Sequence, residues 1–361
     1  MINSISIELK KRCIELKKQG MLVRKIYNES FAPEFEHPMS YNSFRRRLRI
    51  WETKIFPDTT TLDSGTYEGF TAHGATVQVA ANGEIVQAWI KQHKDDAFDV
   101  DGFLEALHSK VEPYQYPEES EDYPSTTMLE IPLFDMHWGV SYLDYYKPVL
   151  NEILSLIETG GWDKIVIPFG QDFFHNDSIV SGITSKGTNI EKVDMERAVR
   201  DGQTFMYAII DAAIENSHVT EVLYTPGNHD RSISWMFIQV LKERYGSHIV
   251  DDSIDYRKVT TYGKNAIMFT HGDSKQATAK NLAHVFPIAF PDEFASANTR
   301  EVHAGHLHRE GEADIYGVMV RRLSSGGRTD EWANCEDYVG SHKRFMLFEW
   351  DLSKLKSIHY I

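Results

Sequence analysis

From about residue 127 onward one pattern recurs along the chain: a short apolar run, a cluster of polar residues, then a longer amphipathic segment. The apolar runs are TMLEIPLF, KIVIPFG, TEVLYTPG, KNAIMFTHG and EVHAG, and segments such as YYKPVLNEILSLIETG and TFMYAIIDAAIENS separate the first three. Short buried strands alternating with helices specify an α/β fold, in which sites form at the carboxyl ends of the strands. The closing stretch RFMLFEWDLSKLKSIHYI reads as a hairpin completing the sheet.

Each of the five runs ends in candidate metal ligands. The first leads to Asp135 and His137 and the second to Asp172 or Asp177. The third leads to Asn228, His229 and Asp230, the fourth to His271, and the fifth to His306 and His308. The spacing of Asp135 from His137, repeated in His306 and His308, predicts that both members of a pair leave a strand end on the same side. Any one block is compatible with an ordinary turn, since Asp, Asn and His serve there too. All five together exceed the needs of a single ion. A mixed carboxylate and imidazole set of this size suits two divalent cations sharing a bridging carboxylate. Two such ions clamp a phosphate and activate water.

The ordered set FDMHWG, FGQDFFH, GNHD, THGD and GHLH resembles the calcineurin-like metallophosphoesterase superfamily. The resemblance spans residues 127–361 and implies a four-layer αββα sandwich with a dinuclear site on one edge. It further implies that Asp135, His137, Asp172 and His308 hold one metal. Asp172 would bridge to a second, completed by Asn228, His271 and His306. By the same resemblance His229 stands above the metals as general acid or as a donor to phosphoryl oxygens. Asp230 is expected to orient or pack below that loop, and Asp177 becomes a loop acid. The implied cofactors are two divalent ions, Mn²⁺ first, with Fe²⁺, Zn²⁺ or Mg²⁺ as alternatives. One departure stands out: the family has Gly and Asp adjacent, whereas Gln171 separates Gly170 from Asp172. More loosely, the ANGEIVQAWIK hairpin, GTNIEKVDMERAVRDG and the SSGGRTDEWANCEDYVGSHKRF tail resemble phage- and prophage-encoded members.

The first 57 residues differ in character. They hold 12 Lys/Arg against 6 Asp/Glu, leaving 26 against 47 for the rest of a chain of net charge −15. Ile5, Leu9, Cys13 and Leu16 share one helical face, LVRKIYNESF reads as a second helix, and Ser40 can cap a third, YNSFRRRLRIW. That third helix carries Arg45, Arg46, Arg47 and Arg49, and the succession outlines a helix-turn-helix module that could contact nucleic acid. The domain reading is therefore 1–57, a helix-turn-helix-like basic domain; 58–122, a connector with a hairpin around Asn82–Gly83 and a helix; and 123–361, the metallophosphoesterase domain. The hairpin assignment rests on the Asn-Gly turn.

The superfamily hydrolyses monoesters, cyclic nucleotides and nucleic acids, so the fold leaves the substrate open. His175 narrows it, because QDFFH resembles the Gly-Asp-Leu-Phe-His block of the double-strand-break-repair nuclease branch. An imidazole there could donate to a phosphodiester oxygen or share proton duty with His229; the bland reading gives it a hydrogen bond behind a ligand. Arg231 could meet a substrate phosphate or form a salt bridge. His303 could be a strand-core histidine or a group behind a ligand, while His248 and His284 read as structural. The first function considered is a DNA phosphodiesterase. The second is a phosphatase or nucleotide phosphodiesterase for small substrates, its head used for docking, and the third is a non-catalytic DNA-binding regulator. DNA is the expected partner; a homo-oligomer and a partner ATPase are left open. No apolar run approaches the roughly 20 residues of a membrane span, the stretch MINSISIELKKRC lacks the apolar core of a secretory signal, and two cysteines preclude a disulfide framework. A cytoplasmic setting is the expectation, that of the host if the chain is phage-encoded.

Overall fold

The computed structural model describes residues 7–35, 41, 44–45, 48, 70–79, 85–94, 99–116, 125–329 and 340–361. The chain divides into two compact units, Met1–Asp99 and Val100–Ile361.

In the first unit, α1 (Ile7–Lys18) ends at Gly20, whose φ of +88° suits glycine. A short helix, α2 (Val23–Ile26), continues as a π turn over Tyr27–Phe31. The i→i+5 winding brings residues five apart onto one face. Ile26 and Phe31 accordingly join Leu9, Cys13, Phe44 and Leu48 in one small core. Arg45 is exposed, whereas Arg46, Arg47, Arg49, Ile5 and Ser40 lie outside the described residues. Strands β1 (Phe70–Val79) and β2 (Ile85–Lys94) pair antiparallel, and the Asn82–Gly83 turn also falls outside the described residues.

The second unit is mixed α/β, built on two sheets. The larger orders its strands β13-β12-β3-β4-β5-β6. Its members are β3 (Thr127–Glu130), β4 (Trp162–Gly170), β5 (Ser217–Thr225), β6 (Ile249–Asp251), β12 (Met346–Asp351) and β13 (Leu355–Tyr360). Strands β3 to β6 run parallel, and the β12–β13 hairpin adds antiparallel to β3. The smaller sheet, β10-β11-β9-β8-β7, contains β7 (Arg257–Tyr262), β8 (Asn265–Thr270), β9 (Thr299–Ala304), β10 (Gly311–Ile315) and β11 (Val318–Arg322). Here β8, β9 and β11 run parallel. Helix α3 (Val100–Lys110) belongs with this unit rather than with the connector, and its His108 Nδ1 lies 2.6 Å from Glu243 Oε1.

Alternation along the strands sorts the apolar side chains into layers. Ile165, Ile167 and Phe169 of β4 face α4 (Leu143–Gly160), α5 (Met195–Glu215) and α6 (Arg231–Tyr245). Val166 points the other way, joining Met128, Leu223, Ile267, Phe269, Phe348 and Trp350 in a core shared by both sheets. Ala266, Met268, Val302 and Val320 face α7 (Ala279–Ala289) and α8 (Pro291–Ser296). The order of layers is helices, sheet, sheet, helices.

One polar group interrupts the core between the sheets. His303 is fully buried, with Nδ1 2.5 Å from Glu130 Oε1 and Nε2 3.1 Å from Glu301 Oε2. Glu130 also accepts the Trp350 indole N–H, and Arg321 binds Glu301. Burial alone would lower the His303 pKa, but the charges and hydrogen bonds of Glu130 and Glu301 overcome it and raise it from 6.5 to about 9. A group with a raised folded-state pKa contributes stability that is complete below its unfolded value and lost as pH rises through the folded one. Between pH 6.5 and 9 the wild-type protein should therefore lose denaturant resistance more steeply than His303→Gln, as read by urea midpoints across that window.

Candidate metal centre

The carboxyl ends of β3, β4 and β5 in one sheet meet those of β8 and β9 in the other. Asp135 and His137 follow β3, Asp172 follows β4, Asn228 follows β5, His271 follows β8, and His306 and His308 follow β9. Ligand-type atoms of Asp135, His137 and His308 lie within 4.8 Å of one another, and so do those of Asp172, His271 and His306. A third group, His137, His175 and His229, meets the same limit.

The backbone at these positions is unusual. Among the described residues seven non-glycines have positive φ, and six of them are Asp135, His137, Gln171, Asp172, His306 and His308. Left-handed backbone costs a non-glycine residue on the order of 1–3 kcal/mol and persists where surrounding structure enforces it. The same-side argument from strand alternation is thus corrected. Both Asp-x-His and His-x-His lie beyond their strands, and successive left-handed turns rather than the pleat aim the side chains inward. Enforcement comes from two loops running side by side: Asp135 N–H donates to Gln171 O (3.0 Å), His137 N–H to Asp172 O (3.1 Å) and Trp138 N–H to Phe173 O (2.8 Å). Ser325 Oγ donates to the Asp135 carbonyl at 2.6 Å, an interaction no motif signalled.

Both carboxylates are anchored in the same way. Asp172 Oδ1 accepts the His229 N–H (2.7 Å), and Asp135 Oδ2 accepts the His306 N–H (2.8 Å). A glycine makes each approach possible, because a Cβ at Gly227 would strike Asp172 and one at Gly305 would strike Asp135. One oxygen of each acid stays available. Asp172 Oδ2 lies 3.0 Å from His271 Nε2, which is also 2.9 Å from Asn228 Oδ1. His308 Nε2 lies 3.1 Å from His137 Nε2 and 3.5 Å from Asp135 Oδ1. Metal–ligand bonds of about 2.1 Å at tetrahedral or octahedral angles put neighbouring donor atoms roughly 3.0–3.4 Å apart. The observed spacings, 2.9 to 3.5 Å, bracket that range. Asp135 Oδ1 and His271 Nδ1 are buried without a hydrogen-bond partner, as expected of atoms arranged for something other than each other. The residues present fit two cations.

Charge follows the same arrangement. Burial and the neighbouring imidazoles push His137 well below its usual range, and burial with the His271 charge lowers His306 to about 4. Both are thereby held neutral, as a ligating imidazole must be, whereas His271 and His308 shift upward and would release a proton on binding a cation. Burial would raise Asp172, yet His271 and His229 hold it well below the carboxylate range. Burial would lower His271, but the Asp172 charge and hydrogen bond lift it to about 9. Asp230 is driven well upward by burial and by the Asp172 charge.

The remaining candidates take distinct places. His229 is half-buried, and its Nδ1 donates to the His175 carbonyl (2.9 Å), leaving Nε2 as the other ring nitrogen. His175 itself is buried beneath His137, with 3.4 Å between their Nδ1 atoms and Glu191 Oε1 3.7 Å from its Nε2. It sits behind the candidate ligand His137, whereas His229, His306 and His308 are half-buried. Asp230 accepts the Phe174 N–H (2.8 Å) and so supports the turn after Asp172. Arg231 Nε donates to Gly227 O (2.7 Å), its Nη2 lies 3.5 Å from Asp273, and its guanidinium covers Tyr256, the salt-bridge alternative of the two expected. Asp177 accepts the N–H groups of Ser232 (2.7 Å) and Ile233 (3.0 Å), capping α6. His248 binds Thr220 O, and His284 is exposed.

No protein-family model matches the chain, and no curated protein matches it. Solved structures that align with it include a predicted phosphoesterase from Streptococcus pneumoniae, at 13% identity over 66% of this chain and 90% of that one, TM-score 0.30. Another is an archaeal phosphodiesterase, at 10% identity over 65% and 99%, TM-score 0.33. A third is Vps29 from Entamoeba histolytica complexed with zinc, at 13% identity over 65% and 98%, TM-score 0.28. The side chains of the centre carry the functional reading. No helix among the described residues is long and apolar enough to cross a membrane.

The two acids of FGQDFFHND should separate cleanly. Asp172→Asn should abolish binding of two equivalents of Mn²⁺ by calorimetry. Asp177→Ala should keep the stoichiometry while losing about 1 kcal/mol of stability, the usual cost of removing a helix cap.

Proposed function

We propose that this chain is a dinuclear metal-dependent phosphoesterase of the calcineurin-like metallophosphoesterase superfamily, acting on phosphodiesters with DNA as its substrate. One observation carries the reading: five strand-end loops from two sheets bring seven N and O ligands to donor–donor spacing. Asp135, His137, Asp172 and His308 would hold one ion, and Asp172, Asn228, His271 and His306 the other. The donor set is imidazole, carboxylate and amide without thiolate, which suits Mn²⁺ and accommodates Fe²⁺ or Zn²⁺. Bound there, two such ions supply Lewis acidity toward a phosphoryl oxygen and lower the pKa of water.

The chain's own groups do the rest. The Gly227–His229 and Gly305–His306 backbones lock the rotation of both carboxylates, so their second oxygens face the centre before any substrate arrives. The His175 carbonyl fixes the His229 tautomer with hydrogen on Nδ1. His229 Nε2 then carries the lone pair, and only after taking up a proton, as the imidazolium, can it hand that proton to the departing oxygen or donate to a phosphoryl oxygen. His175 acts through His137, whose Nδ1 it faces, and so steadies a ligand. DNA as the substrate is supported by the basic head, with Arg45 exposed, and by the similarity of QDFFH to the repair-nuclease block.

With Mn²⁺ supplied, the protein should hydrolyse bis(p-nitrophenyl) phosphate and DNA oligonucleotides faster than p-nitrophenyl phosphate. Activity confined to the monoester would overturn the diesterase reading in favour of a small-molecule phosphatase. Replacing Arg45, Arg46, Arg47 and Arg49 together by Ala should leave turnover of the small diester unchanged. The same change should flatten the log–log salt dependence of oligonucleotide binding, by about 0.7–0.9 for each phosphate that is no longer neutralised. An unchanged salt slope would remove the head from DNA binding.

A further inference from the structure

Arg322 ends β11 in register with Ala304, which is itself in register with Thr270. Three parallel strands therefore finish at one level, and two of them continue directly into the loops of His271 and His306. Gly272 follows His271 and Gly305 precedes His306, so their carbonyls have just left the sheet. The Arg322 guanidinium reaches both: Nη1 donates to Gly305 O at 3.0 Å and to Gly272 O at 3.4 Å. Its Nη2 donates to Ala277 O, at the far end of the His271 loop.

This is an unfavourable way to satisfy three carbonyls. The side chain is half-buried, and its hydrogen bonds among the described residues all go to neutral oxygens. The preceding Arg321, by contrast, is paired with Glu301 and Glu312. The Asp135 charge favours the guanidinium but makes it no hydrogen bond among the described residues, and a cation withdrawn from water without a bonded carboxylate is unfavourable unless its donors are needed in fixed places. A guanidinium presents rigid, coplanar donors that a lysine ammonium cannot reproduce. Gly272 is shaped for the same interaction, since its φ is +82° and a Cβ there would collide with Arg322 Nη1.

We propose that Arg322 is a positioning residue for the second cation, clamping Gly272 and Gly305 so that His271 and His306 keep the separation that ion requires. The inference rests on the two-metal reading above. It assigns Arg322 no contact with substrate.

The test uses full-length protein and Mn²⁺ alone, with calorimetry for affinity and electron paramagnetic resonance for the spin-coupled pair. Wild type should bind two ions and give the coupled signal. Arg322→Met should keep one ion near wild-type affinity and bind the other about 10–100-fold more weakly, the usual effect of removing a group that orients a ligand. At two equivalents of Mn²⁺ its spectrum should then be dominated by uncoupled ion. Arg322→Lys should recover only part of the affinity. Gly272→Ala leaves the guanidinium present but displaced, and should lower the second affinity selectively. If Arg322→Met does not fold by circular dichroism, Gly272→Ala decides alone. Two ions bound at wild-type affinity in the folded variants would overturn the inference, and so would equal weakening of both ions. A wild-type protein that never forms a coupled pair would instead overturn the two-metal reading itself.

Discussion

The two carboxylates at the centre each use one oxygen to hold a backbone N–H from another loop, and much else follows from that geometry. Asp172 is tied to His229 within the larger sheet, whereas Asp135 is tied to His306 across to the smaller one. The second tie is possible only if the sheets pack at the correct distance. That distance is set by Met128, Val166 and Leu223 meeting Ile267 and Phe269, and by His303 reaching Glu130. The centre and the core between the sheets are therefore one mechanical problem. His303 lies three residues before His306, so a displacement of β9 in the core would be transmitted to a proposed ligand within one short loop.

Six left-handed residues in three short loops are costly. At on the order of 1–3 kcal/mol each, their combined strain is comparable to the net stability of about 5–15 kcal/mol typical of a folded protein. Hydrogen bonds between the Asp135 and Asp172 loops, the Ser325 hydroxyl and the Arg322 fork offset part of it. Asp135 Oδ1 and His271 Nδ1, buried without a hydrogen-bond partner, add to that cost. Such a site stores strain in the backbone so that the side chains need little reorganisation on binding. That is the arrangement expected where electrostatic preorganisation does the chemistry.

Much of this architecture is written in local sequence. The five apolar runs report strands because a buried strand needs a continuous apolar stretch, and their polar endings report loops that gather at one edge. Val166 against Ile165 and Ile167 illustrates why the layers are not equally legible: alternation is visible in sequence, but which face meets helices and which meets a second sheet depends on long-range packing. The ligand types are likewise legible, while the reason for their convergence is not. An i, i+2 spacing gives the same letters in a strand and in a pair of left-handed turns. His175 reads in sequence like a residue of the opening and lies behind His137, because its direction is set by Trp138 and Asp230 holding the 172–175 turn from outside that motif. Arg322 gives no local signal at all, since its partners are carbonyls, which every residue possesses.

Gln171 lies where these constraints meet. With Gly170 and Asp172 it forms three consecutive left-handed positions. Its side-chain amide is buried with no hydrogen-bond partner, so the residue's contribution must come from its backbone. That backbone faces both ways: its N–H donates to Thr225 O at the end of β5, and its carbonyl accepts from Asp135 N–H beyond β3. Gln171 thus joins the central strand to both neighbours at the level where the candidate ligands begin. It places the turn that carries Asp172 and supplies two backbone hydrogen bonds that hold it there.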